Sequence, residues 1–411
     1  MNIIKTVIIG ATATLLATAS YAGCGIEKGS VRILSNDFPA LQAVADWAEK
    51  CEGDGVEVTR NQTTKHREIA VASLTANPAQ YTTVLVANES MVPLINENLI
   101  RSLDDLVAKH GQNLNKSQLI TIDGKIMAIA FMANAQHLFV RKDLLEKVNL
   151  DTPKTYEEVL AAAKAIQEAG LVKYPFAMLT KPDWNLGQEF VNMYLGSGGQ
   201  FFEPGTAEAT VNNEAGIKAL NMLNSLMAYS SPDFLTYDTG SVVPMWQAGN
   251  LAIAQFWGNS AAQVIDDKGA SEEVVSNTVF ASAPTVGGGA IPASTLWWDG
   301  FTIAKNISDE DAEATFVAMV NGISEGMVKE NNEKAVWLSD AYVPNSVAAG
   351  VAATIAGGAE PYPMLPYMGL LHQAFDAELP DFLQGNESAE KTLADVESAY
   401  TSAAKQQGFL K

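Results

Sequence analysis

Cysteine and histidine are scarce in this chain, and the scarcity limits the chemistry it can carry out. Its 411 residues include two cysteines and four histidines. The histidines lie far apart, and none belongs to the H-E-x-x-H motif of metalloproteases. The two cysteines fit neither a C-x-x-C redox motif nor a zinc-binding spacing. We therefore expect no metal site and no cofactor.

Clusters of basic residues are also missing. The chain has 26 Lys and Arg residues against 47 Asp and Glu residues, which gives a formal net charge of -21. This balance argues against nucleic acid and against an anionic membrane surface as partners. After the N-terminus, no hydrophobic run reaches the length of a membrane-spanning helix. The acidic composition is typical of a secreted protein that stays soluble in a salty medium.

The first 22 residues have the pattern of an export signal. Lys5 precedes an apolar run from Val7 to Ala19, and "SYA" ends the segment with small residues at the two positions that a signal peptidase reads. We predict that residues 1–22 form a cleaved signal peptide. Lipid attachment at Cys24 is an alternative, although Tyr21 stands where such signals usually carry Leu.

An exported chain matures where disulfides persist, which bears on Cys24 and Cys51. A strand-like "VRILS" and a helical pattern from Pro39 to Lys50 lie between them. A helix that returns along its strand brings its end back toward the strand's start. We therefore predict a disulfide between Cys24 and Cys51, with two free thiols as the alternative.

Apolar strand-like runs alternate with amphipathic helical patterns through the first third of the chain. The pattern predicts an α/β layered fold with a largely parallel sheet, in which ligands bind beyond the carboxyl ends of the strands. A later helix begins with a capping box of Thr155 and Glu158 and ends near Gly170, and another is capped by Ser308. The successive segments of the first third are "VRILS", a helix at Pro39 to Lys50, "VEVTRNQ", a helix at His66 to Asn77, "YTTVLVAN" and a helix at Met91 to Asn98.

Three segments carry a resemblance to a known family. "IDGKIMAIAFMANAQHLFVRKDLLEKVNLDTPKTYEEVLAAAKAI" resembles the part of extracellular solute-binding proteins of family 1 in which a Gly-Lys pair enters an interdomain strand. "MWQAGNLAIAQFWGNSA" is similar to the family's F-x-x-G-x-A-A-M-x-x-x-G-x-W element, and "GFTIAKNISDEDAEATFVAMV" to a strand and helix of its returning domain. The similarity covers nearly all of the mature chain in the same order.

The resemblance implies a maltose-binding-protein-like periplasmic receptor of type II-like architecture, with two discontinuous α/β lobes that close around a sugar. Such receptors deliver the sugar to the inner-membrane permease subunits of an ABC importer, and we expect a monomer. The implied first lobe is 23–128 with 284–343, and the second lobe is 131–279 with 346–411. The implied hinges lie at 128–130, 282–284 and 342–344.

A neutral sugar site needs aromatic rings for the apolar faces of the sugar, and amides or carboxylates for its hydroxyls. Four tryptophans in turn-like or strand-end contexts are candidates, whereas Trp47, Trp246 and Trp337 lie on helical patterns that indicate core packing. Polar residues at strand ends complete the set, with helix capping as the alternative role for several of them. The candidates are Trp184, Trp257, Trp297 and Trp298, together with Asn36, Asp37, Asn88, Glu89, Asp299 and, by analogy with the family, Asn134 and Asn345.

The adjacent tryptophans in "LWWDG" depart from the family, which often has two glycines there. Alternation along a strand puts Trp297 on the same face as Asp299, and Trp298 on the opposite face. Trp298 and Asp299 can both meet a ligand only if a turn at Asp299-Gly300 interrupts the alternation. The pair also raises the question of whether the pocket is reduced to the size of a small sugar or polyol.

Three other functions remain open from the sequence. A polyol or small osmolyte could use the same rings and amides, and a polyamine could use carboxylates beside tryptophans. A secreted glycan-active enzyme would need two suitably placed carboxylates. We find no enzyme motif: "GISEG" follows a helical run rather than a strand, and "VGGGA" lacks the Lys-Ser/Thr of a phosphate loop.

Overall fold

The computed structural model describes residues 24–53 and 55–411. The predicted signal peptide lies outside the described residues. Within them, no helix is both long and apolar enough to cross a membrane.

The described residues form a mixed α/β structure. Its strands are β1 (Gly29–Ser35), β2 (Val56–Gln62), β3 (Thr83–Ala87), β4 (Leu119–Ile122), β5 (Lys125–Arg141), β6 (Phe176–Ala177), β7 (Ile253–Trp257), β8 (Thr278–Ala281), β9 (Thr295–Phe301), β10 (Val336–Trp337) and β11 (Glu360–Pro361). Its helices are α1 (Pro39–Glu49), α2 (His66–Thr75), α3 (Asn88–Asn96), α4 (Asp104–His110), α5 (Lys142–Lys147), α6 (Tyr156–Glu168), α7 (Trp184–Gly196), α8 (Glu214–Met227), α9 (Thr239–Gln247), α10 (Ala261–Val264), α11 (Glu272–Asn277), α12 (Asp309–Gly322), α13 (Glu325–Glu330), α14 (Ala349–Ala356), α15 (Met368–Leu383) and α16 (Ala389–Gln406).

The sheet is mixed rather than largely parallel. Its main order is β2-β1-β3-β9-β5-β7-β6. The outer pairs β1 with β2, β1 with β3, and β6 with β7 are parallel, as the alternation of strands and helices predicts. The central pairs of β9 with β3, and of β5 with β9 and β7, are antiparallel. The prediction of a largely parallel sheet is therefore wrong at its centre, because β9 returns to the first strands from a distant part of the chain.

Two groups of hydrophobic clusters divide the molecule into two lobes. β1, α1 and α12 contribute to the clusters of the first lobe, and α6 to α8 with α15 and α16 contribute to those of the second. The long strand β5 belongs to both, because residues 129–135 pair with β9 whereas residues 136–141 pair with β7 and β8.

The limits of the lobes stay a prediction, and the packing bears on where the crossings lie. The partners of β5 change after Ala135, further along the strand than the hinge expected at 128–130. Val286 and Ala293 pack in a second-lobe cluster, which favours a second crossing nearer β9 than 282–284. Tyr342 packs in the first lobe and Val347 in the second, on either side of the hinge expected at 342–344.

Several local predictions are confirmed. The Cys24–Cys51 disulfide is formed, with the two Cα atoms 4.9 Å apart. The Thr155 side chain accepts a hydrogen bond from Glu158 N at 3.1 Å, and Ser308 caps α12 by accepting one from Asp311 N at 3.0 Å. One prediction is wrong: Trp337 lies in the short strand β10, where pairing with β5 overrides the local helical pattern, although it is buried as expected.

Candidate functional site

A group of packed aromatic rings from the second lobe forms one wall of the candidate site, which we call the aromatic wall (Trp184, Trp257, Trp297, Tyr362 and His372). Trp184 is the first residue of α7, whose start is fixed by the Asp183 side chain accepting from Asn185 N. Its ring stacks on His372 at 4.9 Å between centroids and on Trp257 at 6.0 Å.

Strand register explains why distant tryptophans meet in this wall. On β5, Gln136 pairs with Trp257 of β7, and Asn134 pairs with Trp297 of β9. Trp297 is only 5% exposed and presents its ring edge-on to Trp184 at 5.1 Å and to Trp257 at 5.7 Å. Because β5 spans both lobes and pairs with both β7 and β9, it brings Trp257 and Trp297 next to each other.

The two neighbours Trp297 and Trp298 pack on different sides of β9. Trp297 belongs to a second-lobe cluster, whereas Trp298 packs against a first-lobe cluster. β9 continues to Phe301, so no turn at Asp299-Gly300 interrupts the strand. Both faces of the strand are covered, which allows two adjacent tryptophans to be buried or partly buried.

Polar residues attached to the first-lobe strands and helices face the rings, and we call this set the polar wall (Arg67, Asn88, Glu89 and Asp299). Arg67 of α2 donates from Nε to Glu89 Oε2 at 3.0 Å and lies 4.9 Å from the centre of the Trp184 ring. Asn88 and Glu89 open α3, directly after β3, and Asp299 pairs with Ala87 at the end of that strand. Arg67 therefore links the two walls.

Several polar atoms of the site have no hydrogen-bond partner among the described residues. Asn88 Oδ1 and Trp184 Nε1 are buried without one. Arg67 donates to Glu89 through Nε, and its two Nη atoms make no hydrogen bond to the described residues. The Asp299 carboxyl also receives no hydrogen bond from them, and only burial and the Arg67 charge shift its pKa. Hydrogen-bond acceptors and donors without a partner among the described residues therefore lie beside the rings. Such atoms are what a polyhydroxylated ligand requires.

Burial shifts the titration of the acidic groups of the site. It raises the pKa of Asp299 to about 7, with the Arg67 charge acting in the opposite direction. It also raises the pKa of Asp376 on α15 to about 8, while the hydrogen bond from Gly187 N lowers it and Asp183 and Glu89 raise it further. Both carboxyls therefore change protonation near neutral pH.

His372 is a neutral structural member of the aromatic wall. Burial lowers its pKa to about 4. A carbonyl can only accept, so Nε2 carries the proton and donates to Trp184 O at 2.9 Å, which leaves Nδ1 to accept from Tyr362 O–H at 2.9 Å. The histidine thus holds the main chain of Trp184 and the hydroxyl of Tyr362, and its ring stacks on the Trp184 ring.

A buried chain of hydrogen bonds supports Trp297 from behind. Its indole N–H donates to Thr295 Oγ1 at 2.8 Å, and Thr295 donates to Asn192 Oδ1 at 2.9 Å. Asn192 Nδ2 donates to Gln136 Oε1 at 2.8 Å, and Gln136 Nε2 donates to Glu189 Oε1 at 2.9 Å. Burial raises the pKa of Glu189 to about 8, so this carboxyl is protonated at neutral pH.

The structure brings together six of the predicted site residues, namely Asn88, Glu89, Trp184, Trp257, Trp297 and Asp299. The others are engaged elsewhere. Asn36 Oδ1 accepts from Asp37 N, and Asp37 Oδ1 accepts from Gln42. Asn134 Oδ1 accepts from Ala135 N and Asn259 N, Asn345 caps a short 3-10 helix, and Trp298 packs into the first lobe as described above.

The sequence interpretation missed Arg67, Tyr362, His372 and Asp376. His372 and Asp376 stand four residues apart on α15 and so share a helix face, which is a detectable signal. Tyr362 lies in the proline-rich "EPYPMLPYM", a segment that marks irregular backbone. No local pattern distinguishes Arg67 from an exposed helical arginine. Within the described ranges, no group of three or more His, Cys, Asp or Glu could hold a metal ion.

The profile of the bacterial extracellular solute-binding protein family matches residues 34–361, more than half of the chain. The chain therefore belongs to this family. It is 25% identical over 292 residues to a probable ABC transporter-binding protein of Deinococcus radiodurans, and the match spans 66% of this chain and 65% of that relative.

Solved structures show the same fold. A solute-binding protein of Agrobacterium radiobacter K84 in complex with ribitol has a TM-score of 0.78 at 20% identity, over 93% of this chain and 100% of the other. A maltose-bound MalE3 of T. maritima also has a TM-score of 0.78 at 17% identity, over 91% of this chain and 99% of the other. These similarities establish the two-lobed α/β architecture of maltose-binding-protein-like receptors.

Proposed function

We propose that the protein is a receptor of an ABC importer and binds a neutral polyhydroxylated solute, a sugar or polyol, between the aromatic and polar walls. The observation that carries the proposal is the set of unpartnered acceptors and donors beside packed rings, which includes Asn88 Oδ1, Trp184 Nε1 and the buried Asp299 carboxyl near Arg67. A hydroxyl both donates and accepts, so it can pair with the Asp299 carboxylate and with an Arg67 Nη group. Ligands of the two neighbours described above, maltose and ribitol, have this chemistry.

The two walls come from different lobes, which suits a receptor that closes on its ligand. A ligand that contacts both lobes stabilises the closed arrangement relative to the open one. The closed receptor would then dock, as a monomer in the periplasm, on the permease subunits of the importer. We propose no reaction for it, so the ligand leaves chemically unchanged.

A polyamine is a weaker candidate because a cation of the protein already lies on the aromatic wall. The Arg67 guanidinium lies over Trp184, at the kind of position that an ammonium group of a ligand would take. Arg67 would repel a second cation there. The neighbouring Glu89 is already bonded to Arg67.

The test is a thermal-shift screen of the purified protein with sugars, polyols, amines and amino acids, followed by calorimetry of the hits. Binding at one hundred times Kd stabilises the folded state by about 2.7 kcal/mol, which is a measurable rise in Tm. A neutral sugar or polyol that raises the Tm and is recovered intact supports the receptor. Cleaved product would instead identify a glycan-active enzyme, and a response to amines alone would identify a cation receptor.

A further inference from the structure

The ring faces of the aromatic wall are covered largely by packing against other rings of the same wall. Trp184 stacks on His372, meets Trp257 and the edge of Trp297, and also has Arg67 over its ring. Trp297 lies 4.6 Å from Tyr362 between ring centroids and is nearly buried. A row of sugar rings needs a row of free aromatic faces for stacking. These two tryptophans offer no such row.

A segment of the second lobe extends from this wall toward the first lobe, and we call it the strap (residues 360–367). Its start is held beside β9, where Pro361 pairs with Leu296 and Tyr362 N donates to Leu296 O at 3.2 Å. Its end is held by Tyr367, whose hydroxyl donates to Thr206 O at 2.7 Å. The strap is therefore anchored at both ends in the second lobe.

The middle of the strap contacts the first lobe. Met364 packs against the same first-lobe cluster as Trp298. Asn96, at the end of α3, donates from Nδ2 to Pro366 O at 3.2 Å. The carbonyl of Leu296 accepts from both Tyr362 N and Asn88 Nδ2, so the strap, β9 and α3 converge there. The strap thus connects the two lobes beside the Thr295 end of β9.

We propose that the site accepts a single sugar unit or a single alditol chain and excludes oligosaccharides, because the strap closes one end and the rings leave no extended stacking surface. This inference rests on the proposed function and names the size of its ligand. The unpartnered atoms of Asn88, Trp184, Asp299 and Arg67 would bond to the hydroxyls of such a unit. Arg67 already lies over the Trp184 ring, so a ligand cannot stack on that face. We therefore expect hydrogen bonds rather than stacking to be the main interaction.

The test is calorimetric titration of the mature protein with pentitols, hexitols, pentoses and hexoses, and with di- and trisaccharides of the same sugars. We expect one of the single-unit ligands to bind at least tenfold more tightly than every disaccharide or trisaccharide. A disaccharide or trisaccharide that binds equally well or better overturns the size limit while supporting the sugar receptor. Failure of the whole panel to bind overturns the proposed function itself and the size limit with it.

A strap variant separates the role of this segment from general instability. The double substitution Asn96→Ala and Met364→Ala removes the two contacts with the first lobe described above, and we expect the affinity for disaccharides to rise at least threefold relative to that for the single unit. Ile355→Ala is the matched control, because Ile355 is an exposed apolar residue of the second lobe that precedes the strap. An unchanged affinity ratio in the double variant, with both proteins folded by circular dichroism, contradicts the assigned role of the strap.

Discussion

The two walls of the candidate site are built in opposite ways. The aromatic wall is mostly satisfied by its own contacts, because its rings pack on each other and His372 bonds to the Trp184 carbonyl and the Tyr362 hydroxyl, although Trp184 Nε1 is buried without a partner among the described residues. The polar wall is less complete, since Asn88 Oδ1 is buried without a partner and the Asp299 carboxyl is buried near the Arg67 charge with no hydrogen bond from the described residues. The comparison indicates that the second lobe supplies mainly a preformed packed surface, whereas the first lobe supplies most of the groups that a ligand completes. Substitutions in the aromatic wall should therefore change stability as well as affinity, and those in the polar wall mainly affinity.

The largest effect is expected for Trp184→Ala, which removes the ring that contacts every other part of the aromatic wall except Tyr362. Loss of a packed tryptophan typically costs about 3–5 kcal/mol of unfolding free energy. We expect the affinity for the ligand to fall about a hundredfold as well, as for a central binding residue. Urea unfolding and calorimetry measure the two effects.

Trp47→Ala is the control for this substitution. Trp47 lies on α1 in the first lobe and packs partly against its core. We expect a lower unfolding free energy with an unchanged Kd. If Trp184→Ala reduces stability but leaves Kd unchanged, the aromatic wall is a structural core and takes no part in binding.

The next largest effect concerns Glu189, which supports Trp297 from behind. Its pKa is about 8 in the folded protein against an ordinary 4.5. Between these values the folded state holds a proton that the unfolded state has released, so stability falls as pH rises, by up to about 1.4 kcal/mol per pH unit. Glu189→Gln keeps the acceptor for Gln136 and removes the titration. We expect the unfolding free energy of the variant, relative to that of the wild type, to rise by about 2–4 kcal/mol from pH 5 to pH 8.

Urea unfolding at several pH values measures this difference, and Glu146→Gln, at an exposed position on α5, is the control. The control should retain the pH profile of the wild type. Parallel profiles for wild type and Glu189→Gln would show that Glu189 does not titrate in this range. The support of the aromatic wall would then not depend on a neutral carboxyl.

The sequence allowed correct predictions where local patterns decide the structure. The capping box at Thr155 and the Cys24–Cys51 disulfide depend on short stretches, and both are confirmed. The order of the three family-like segments was enough for the fold class. At the site, Trp257 could be proposed because it lies at the end of β7, a position that is visible in a pattern of apolar residues. Asp299 is proposed from its place beside the tryptophan pair, and the structure places it inside β9 rather than at a turn.

The remaining parts of the site depend on contacts between distant segments. Arg67 meets Trp184 only because α2 and α7 face each other across two lobes. His372 and Asp376 lie in the last third of the chain on α15, which packs against α7. The antiparallel centre of the sheet likewise follows from the return of β9 between β3 and β5. A single sequence shows the residues of such contacts without showing which segments meet.

A smaller effect is expected for Arg67→Met, which breaks the link between the walls. Arg67 is 31% exposed in its side chain, and partly exposed ion pairs contribute at most about 1 kcal/mol to stability. The ligand would lose two guanidinium donors, so we expect affinity to fall about tenfold with little change in Tm. Calorimetry and thermal unfolding measure both quantities.

Arg60→Met is the control, because Arg60 is also a first-lobe arginine and pairs with Asp46 and Glu49. We expect its Kd to equal that of the wild type. A fall in Tm without loss of affinity in Arg67→Met would contradict the role given to the polar wall, because Arg67 would then stabilise the fold without binding the ligand.

The smallest effect is a pH dependence of binding that distinguishes a carboxyl of the polar wall, Asp299, from one beside the aromatic wall, Asp376. Because the pKa of Asp299 is about 7, this group is largely protonated at pH 6 and ionised at pH 8. An ionised carboxylate makes the stronger hydrogen bond to a ligand hydroxyl, so we expect affinity to rise about threefold over this range. Asp299→Asn should abolish the rise, whereas Asp376→Asn, which acts on a group with a pKa of about 8 beside the aromatic wall, should retain it. If Asp376→Asn instead removes the rise, the acidic contact to the ligand comes from the second lobe, and the division of roles between the two walls is wrong.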